Sequence, residues 1–387
     1  MKNIAIMIHK LSGGGAERVA ANMSIELAKR YNVYLFVFDG TSISYDYSGK
    51  IVDFRTPPTD SKIGKCILML RRVYLSKKFK KQYDIDCTIS HLPHNNIINV
   101  LSKVKDKIIV VNHHMMSLTE NVGTKEKVRE QFLARHSYRT VIVSERARID
   151  LIEKYGVDEK KTQTIYNTID VNSIRNAFKN SESVMVNRNT IVTAGRMADQ
   201  KGQWHLIRAF SVLHKKHPEA RLLILGEGPL KEKLRLLCKK LNIEDAVLMP
   251  GFVSNPFAYI SKAKFYAFSS NHEGLPMALL EAAACGKASV STDCDSGCRE
   301  ILAPDTNLMS KAKKIEKDKY GILVPICQGY DYLSESVTDE EKILAEALEM
   351  LYADDALRCK YENLTESVCE RFTPEQIFNE WYSLIEE

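Results

Sequence analysis

No stretch of this chain approaches the roughly 20 consecutive apolar residues that a membrane-spanning helix requires, so nothing in its 387 residues is expected to cross a bilayer. The opening run, Met1 to His9, is too short for a signal peptide. It leads into a Gly-rich turn rather than a cleavage site, and it reads as a first β-strand. Low-complexity segments and short-period repeats are missing as well. The nine cysteines are odd in number and scattered in apolar or helical settings such as those of Cys87, Cys238, Cys285 and Cys359, which fits a reducing compartment. Cys294 and Cys298 form the one close set. Without a second pair at ligand spacing they read as packed free thiols, and no metal is assigned. No helix-turn-helix, zinc-finger or RNA-recognition pattern occurs, so nucleic acid is not an expected partner.

What is present is an ordinary globular profile. Hydrophobic residues make up 44% and charged residues 27%, which excludes a largely disordered chain, and the length suits two domains better than one core. The net charge of +6 conceals an asymmetry. Residues 1–170 carry 28 Lys+Arg against 18 Asp+Glu, a balance of +10, whereas residues 171–387 carry 27 against 31, a balance of −4. A basic first half points to a polyanion, and an anionic membrane surface is the better candidate.

Short β-branched runs alternate with segments of helical period. Val33 to Phe38, Cys87 to Ser90, Lys107 to Asn112 and Thr140 to Ser144 read as strands of one parallel sheet. The same grammar restarts at Thr190 to Ala194 and continues through Arg221 to Leu225, Val247 to Met249, Phe265 to Ser269 and Ala288 to Ser291. Two α/β lobes are predicted, 1–170 and 190–370. The linker between them, 171–189, holds no convincing strand and is rich in Asn and Ser. Within 371–387, Thr373 as cap and Pro374 at the first helical position open a closing helix expected to cross back to the first lobe.

Three segments carry chemistry. The first strand runs into Leu11-Ser12-Gly13-Gly14-Gly15-Ala16-Glu17-Arg18 and then a helix with apolar residues at Val19, Met23 and Leu27. This is neither GxGxxG nor a P-loop, and it reads equally as a phosphate-facing loop or a tight turn. The second lobe opens with a strand running into Gly195-Arg196-Met197-Ala198-Asp199-Gln200-Lys201-Gly202. Arg196 and Lys201 there reach a crevice at a strand's carboxyl end, where a diphosphate suits them. The third segment is Ser269 to Gly286, with a helix from about Pro276 to Cys285. The amides of Gly274 and Leu275, with the helix dipole, suit a phosphate without a metal. Glu273 precedes this helix. Glu281 lies within it among apolar neighbours, so it needs partners such as ribose hydroxyls.

In these segments, with Leu225-Gly226-Glu227-Gly228-Pro229 and Gly251-Phe252-Val253 between them, the chain resembles glycosyltransferase family 4 over nearly its whole length. The resemblance implies the GT-B fold, two facing Rossmann-like, doubly wound α/β lobes with a deep interlobe cleft. It implies a retaining hexosyltransferase whose nucleotide diphosphate sugar is a co-substrate, with no cofactor. By motif, Arg196 and Lys201 would neutralise the donor diphosphate, Glu281 would bind the ribose, Glu273 would sit against the transferred sugar, and Phe252 and Val253 would flank the base. Gly14, Gly15, Gly274, Leu275 and Pro276 would complete the donor site. A histidine after the Lys107 to Asn112 strand would face the anomeric carbon, either His113, which fits best, or His114. Same-face attack assisted by a donor phosphate oxygen, with no protein nucleophile, follows from the resemblance. So do a UDP-linked hexose or N-acetylhexosamine, a lipid-linked saccharide acceptor in capsule or lipopolysaccharide assembly, and a cytoplasmic protein peripheral on the inner face of the cell membrane. Two segments depart from the family pattern: Ser296-Gly297-Cys298-Arg299-Glu300-Ile301, and Ala303 to Tyr320, read as a mobile surface loop. Asp293-Cys294-Asp295 reads as strand-end polarity rather than a metal site.

Ser61 to Lys81 holds eight Lys or Arg and no acid, with Ile63, Ile67, Leu70 and Tyr74 spaced 4, 3 and 4 along one helical face. Two readings stand: docking on an anionic membrane, or a helix that packs this face on its own sheet and shows its lysines to water. The competing class for the whole chain is a catalytically idle, polyanion- or membrane-binding scaffold with a GT-B fold. A dinucleotide oxidoreductase lacks support because the first turn is not GxGxxG, and a phosphorylase because no pyridoxal phosphate lysine can be placed.

Overall fold

The computed structural model describes residues 1–118, 122–179 and 184–387. The chain forms two compact units, residues 1–167 with 377–387, and residues 168–376. In the first unit the strands are Asn3–Ile8 (β1), Asn32–Val37 (β2), Lys50–Asp53 (β3), Cys87–His91 (β4), Lys107–Asn112 (β5), Arg139–Ile142 (β6) and Thr162–Thr164 (β7). They pair in the order β3-β2-β1-β4-β5-β6-β7, parallel throughout. In the second unit they are Thr190–Ala194 (β8), Arg221–Leu225 (β9), Val247–Gly251 (β10), Phe265–Phe268 (β11), Ser289–Thr292 (β12), Glu316–Lys317 (β13) and Ile322–Val324 (β14). Their order is β10-β9-β8-β11-β12-β14-β13, with only β13 antiparallel.

Both sheets read as near-continuous buried runs, as strands covered on two faces must. Ile4, Ala5, Ile6, Met7 and Ile8 of β1 are all fully buried, as are Ile191 and Val192 of β8. In each sheet the winding reverses once, between β1 and β4 and between β8 and β11. The carboxyl ends flanking such a reversal form the crevice where open α/β sheets take ligands.

The expected linker resolves differently. Residues 180–183 lie outside the described residues, but Val171–Lys179 is a helix of the second unit. Asp170 accepts the Ser173 amide at its start, Ile174 is buried, and the Ala177 carbonyl accepts a bond from Asn255 Nδ2 at 2.7 Å. Val171, Ile174 and Phe178, spaced 3 and 4, form an apolar stripe that the Asn- and Ser-rich composition conceals. The helix Pro374–Glu386 belongs mostly to the first unit, where Glu386 pairs with Lys2 at 2.7 Å and Tyr31 at 2.8 Å.

Lys62–Gln82 is a single helix capped by Ser61. Ile63, Ile67, Leu70 and Tyr74 are exposed, so the alternative in which that stripe packs on its own sheet does not hold. Val73, Leu75 and Phe79 pack on the Phe36 and Phe54 cluster, and Arg72, Ser76 and Lys80 are buried beside them. Among the described residues no helix is long and apolar enough to cross a membrane.

Candidate active site

The candidate residues are divided between the two units, and each set is described within its own unit. In the second unit, β8 ends at Ala194 and the chain turns through Gly195 and Arg196 into a short 3-10 turn, Asp199–Lys201. Backbone bonds from Gly195 N–H to the Leu225 carbonyl and from Met197 N–H to the Glu227 carbonyl, both 2.9 Å, join this loop to the one after β9. The helix Gln203–Lys216 begins directly after it. That helix is fixed by a buried network in which Arg208 Nε and His205 Nδ1 reach Glu341 Oε1 at 2.8 and 2.5 Å.

Across the reversal, β11 leads into Ser269 to Pro276 and the helix Met277–Ala284. Lys201 Nζ lies 2.6 Å from Glu273 Oε1, with both side chains largely buried, so the cation and the carboxylate of the two loops meet. Gln200 Nε2 donates to the His272 carbonyl at 3.0 Å and to Glu273 Oε2 at 3.3 Å. Asn271 Nδ2 donates to the Asp199 carbonyl at 2.9 Å. The amides of Gly274 and Leu275 have no acceptor among the described residues. At a helix start such amides favour an anion. Arg196 is exposed on the adjoining loop. Burial lowers the His272 imidazole below its ordinary value, so it is neutral at pH 7.

Pro276 is the cap of the Met277–Ala284 helix rather than its first residue, and Glu281 stands partly exposed on its second turn. Phe252 is 79% exposed beyond the end of β10, with Val253 partly buried next to it. A large aromatic left in water beside a strand end suits a stacking base. The segment that departs from the family pattern holds the loop from behind. Ser296 Oγ lies 2.7 Å from the Glu273 and Gly274 carbonyl oxygens, sharing its one hydrogen between them. Gly297 has φ +79°, and a Cβ there would lie 2.3 Å from Pro276 Cδ and 2.6 Å from the Gly274 carbonyl oxygen. Sequence reasoning missed Gln200 as a partner of Glu273 and Ser296 as its support.

The Asp-x-Asp look-alike is committed elsewhere. Asp293 is buried against Arg299 at 2.6 Å and accepts the Ala312 amide at 2.8 Å, and Asp295 pairs with Lys311 at 2.5 Å. These contacts, with β13 and the Arg299–Glu316 pair at 2.7 Å, anchor the 303–320 segment that was expected to be a mobile loop. Cys294 and Cys298 are buried thiols 3.2 Å apart, and among the described residues no group of three or more His, Cys, Asp or Glu is placed to hold a metal.

In the first unit, Gly14 precedes the helix Gly15–Leu27, and Tyr45 donates to the Gly14 carbonyl at 3.3 Å. His113 and His114 follow β5, both partly buried. The His113 ring meets that of His91, at the end of β4, with Nε2 to Nδ1 2.8 Å. One imidazole must donate and the other accept, so the two rings cannot both be protonated. Burial holds the His91 imidazole well below its ordinary value and, with His114, lowers that of His113 to about 3. His91 is a partner that the sequence reading did not find. Gly14, Gly15 and His113 thus lie in the first unit, whereas Arg196, Lys201, Phe252, Val253, Glu273, Gly274, Leu275, Pro276 and Glu281 lie in the second.

Comparison with known proteins assigns the family. Residues 13–173 match the model described as Glycosyltransferase Family 4, and residues 174–318 match the one described as Glycosyl transferases group 1. An uncharacterized glycosyltransferase of Methanocaldococcus jannaschii is 31% identical over 82% of this chain and 83% of its own. The N-acetylgalactosamine-N,N'-diacetylbacillosaminyl-diphospho-undecaprenol 4-alpha-N-acetylgalactosaminyltransferase of Campylobacter jejuni is 29% identical over 96% of each chain. Among solved structures, Anabaena HepE in complex with UDP superposes with a TM-score of 0.75 at 16% identity, covering 100% of both chains. With its two Rossmann-like sheets and these relatives, the chain is a glycosyltransferase of the GT-B fold and belongs to glycosyltransferase family 4.

Proposed function

We propose that this protein transfers a hexose or N-acetylhexosamine from a UDP-linked donor to a lipid-linked saccharide in cell-surface polysaccharide assembly, with retention of configuration and without a metal. The observation that carries the reading is the meeting of Lys201 and Glu273 at 2.6 Å across the β8–β11 reversal, beside unsatisfied amides and exposed Arg196. Breaking the bond from the anomeric carbon to phosphate leaves charge on the diphosphate, and positive groups fixed where that charge grows lower the barrier. Lys201, Arg196 and the amides of Gly274 and Leu275 would supply it. Glu273 holds Lys201 in place and would contact the sugar, Glu281 would take the ribose and Phe252 the base. His113, kept neutral, would act as a hydrogen-bond partner of the transferred sugar and not as an acid.

On this account the acceptor hydroxyl forms the new bond on the face the diphosphate leaves, and its proton passes to a leaving phosphate oxygen. The chemistry named for the Campylobacter relative supports a diphospho-undecaprenol-linked acceptor and an acetamido sugar, and the UDP named in the Anabaena structure supports the nucleotide. Asp293 and Asp295 are occupied by Arg299 and Lys311, which supports charge neutralisation by side chains and amides.

The test is a panel of nucleotide sugars with a short-chain diphosphate-lipid saccharide as acceptor, following released nucleoside diphosphate and the product's anomeric configuration, with and without chelator. One UDP-sugar should be turned over, with retention and unchanged by chelator. Inverted product, or activity abolished by chelator and restored by magnesium or manganese, would overturn the mechanism. Nucleotide binding without turnover of any donor would favour an idle scaffold.

A further inference from the structure

Residues 325–338, between β14 and the helix Asp339–Ala353, form no regular element, yet they are tied down along their length. Connections this long without regular structure are uncommon in compact domains and are usually functional when they are not disordered. Arg208 Nη1 donates to the Asp331 carbonyl at 2.9 Å, and Lys240 Nζ donates to that of Leu333 at 3.3 Å. The Tyr332 ring meets Trp204 edge-on, with 4.9 Å between ring centres. Trp204 and Arg208 belong to the helix Gln203–Lys216, where Trp204 is fully buried and Arg208 is locked by Glu341, so the tyrosine ring has a rigid base. From that base the Tyr332 hydroxyl donates to Asp199 Oδ1 at 2.6 Å. The Asp199 carboxylate pushes the Tyr332 phenol up to about 12, so the hydroxyl keeps its proton and remains a donor throughout the neutral range.

Asp199 opens the 3-10 turn that ends in Lys201. All three carbonyls of that turn take bonds from the loop after β11: Asn271 Nδ2 to Asp199 at 2.9 Å, the Asn271 amide to Gln200 at 2.8 Å and Ser269 Oγ to Lys201 at 3.0 Å. These bonds fasten the turn to the very loop that carries Glu273 and register the two loops with each other. Tyr332 is the only side-chain partner of the Asp199 carboxylate among the described residues. It is fastened to the Gln203–Lys216 helix instead, so it ties the turn to a second support. We propose that Tyr332 is a positioning residue for Lys201. By holding Asp199 it sets the turn, and with it the Lys201 ammonium, at the place where charge grows on the leaving diphosphate, which rests on the reading of Lys201 as a donor-phosphate group. A misplacement of about 1 Å at such a group can cost about a hundredfold in rate. The three carbonyl bonds limit the displacement here, so a loss on the order of tenfold is expected.

The test is steady-state kinetics with the nucleotide sugar that the parent turns over. Tyr332→Phe keeps the ring on Trp204 and removes only the hydroxyl, so it should lower kcat on the order of tenfold, move the donor KM much less and leave the melting temperature little changed. Asp199→Ala should do the same, and the double variant should be no slower than either single one. Asp199→Asn keeps an acceptor for the phenol and should recover most of the rate that Asp199→Ala loses. In a Lys201→Ala background Tyr332→Phe should have no further effect, because it acts only through Lys201. Wild-type kcat in Tyr332→Phe, an undiminished loss in the Lys201→Ala background, or a fall in kcat that tracks a fall in melting temperature would overturn the proposal. Hydrogen exchange of the Lys201 amide, which bonds the Ala198 carbonyl at 2.9 Å, needs no donor. It should be at least about threefold faster in Tyr332→Phe, and an unchanged rate would overturn the tether. A parent that turns over no donor while this exchange still responds would count against the sugar-transfer reading and for the tether.

Discussion

Lys201 and Arg196 belong to one loop and differ in what holds them, so their removal should differ in kind. On the proposed function each would contribute positive charge to a leaving diphosphate, and loss of one such electrostatic donor costs roughly a hundredfold or more in rate. Arg196 is exposed, and Arg196→Ala should lower kcat without moving the melting temperature. Lys201 is largely buried against Glu273. Lys201→Ala leaves that carboxylate with only Gln200 as a side-chain donor, which costs about 1–3 kcal/mol of stability in addition to the rate. Steady-state kinetics with a thermal melt checks both. Wild-type turnover in either variant would remove that residue from the donor site. The arrangement was only partly legible from sequence. Cations beside glycines could be placed at a strand's carboxyl end, but the Lys201–Glu273 pair joins positions 72 apart, a distance no periodicity spans.

At the scale of elements, the long apolar runs were readable and the short edge strands were not. β5, β8 and β9 coincide with the expected spans, because four buried β-branched or Leu residues in succession leave little alternative. β3, β7, β13 and β14 were not anticipated. They have two to four residues each, and β3, β7 and β13 lie at sheet edges, where one neighbour supplies the pairing that the sequence does not advertise. The Lys62–Gln82 helix shows the converse limit. Its strongest periodic stripe faces water, and its buried face mixes Val73, Leu75 and Phe79 with Arg72 and Lys80, because Thr56, Asp106 and Asn99 from other elements receive the two cations. The loop at Ser296 and Gly297 is also set by tertiary contact. Gly297→Ala should be worse than strain alone explains, because its Cβ would strike the backbone of the Glu273 to Pro276 loop. Gly286 supplies the control, having φ +73° with open space around it. Gly286→Ala should cost about 1 kcal/mol with an unchanged KM for the donor. Gly297→Ala should cost more and raise that KM, as a melt and donor titration of both variants would show. Equal effects would mean that the loop is not held from this side.

The two units also carry different chemistry, and a difference in pH response follows. His9, His91, His94 and His113 of the first unit all have pKa values lowered by burial, with Arg72 adding to the effect on His9 and His94. Only His272 behaves so in the second unit among the described residues. Each folded-state pKa lies below the unfolded value near 6.5, so between the two the unfolded chain binds a proton that the folded chain does not. The stabilisation is therefore complete above about pH 6.5 and is lost as pH falls toward the folded value, about 3 for His113. The depressed carboxylates, such as Glu341, act only below their unfolded value near 4.5. Going from about pH 7.5 to about pH 5.5 thus titrates the histidines ahead of the depressed carboxylates. Calorimetry should show a transition of the first unit that falls over this range and a second that moves less. UDP, if held by the Arg196, Lys201 and Glu273 loops, should raise only the second, by about 2.7 kcal/mol of stability at a hundred times its Kd. His91→Gln with His113→Gln removes two of the four groups and should flatten the pH response of the first transition while leaving the UDP shift intact. If the transition raised by UDP is also the one lowered by acid, or if the double variant keeps the full pH response, the buried neutral histidines are not what makes the first unit acid-sensitive.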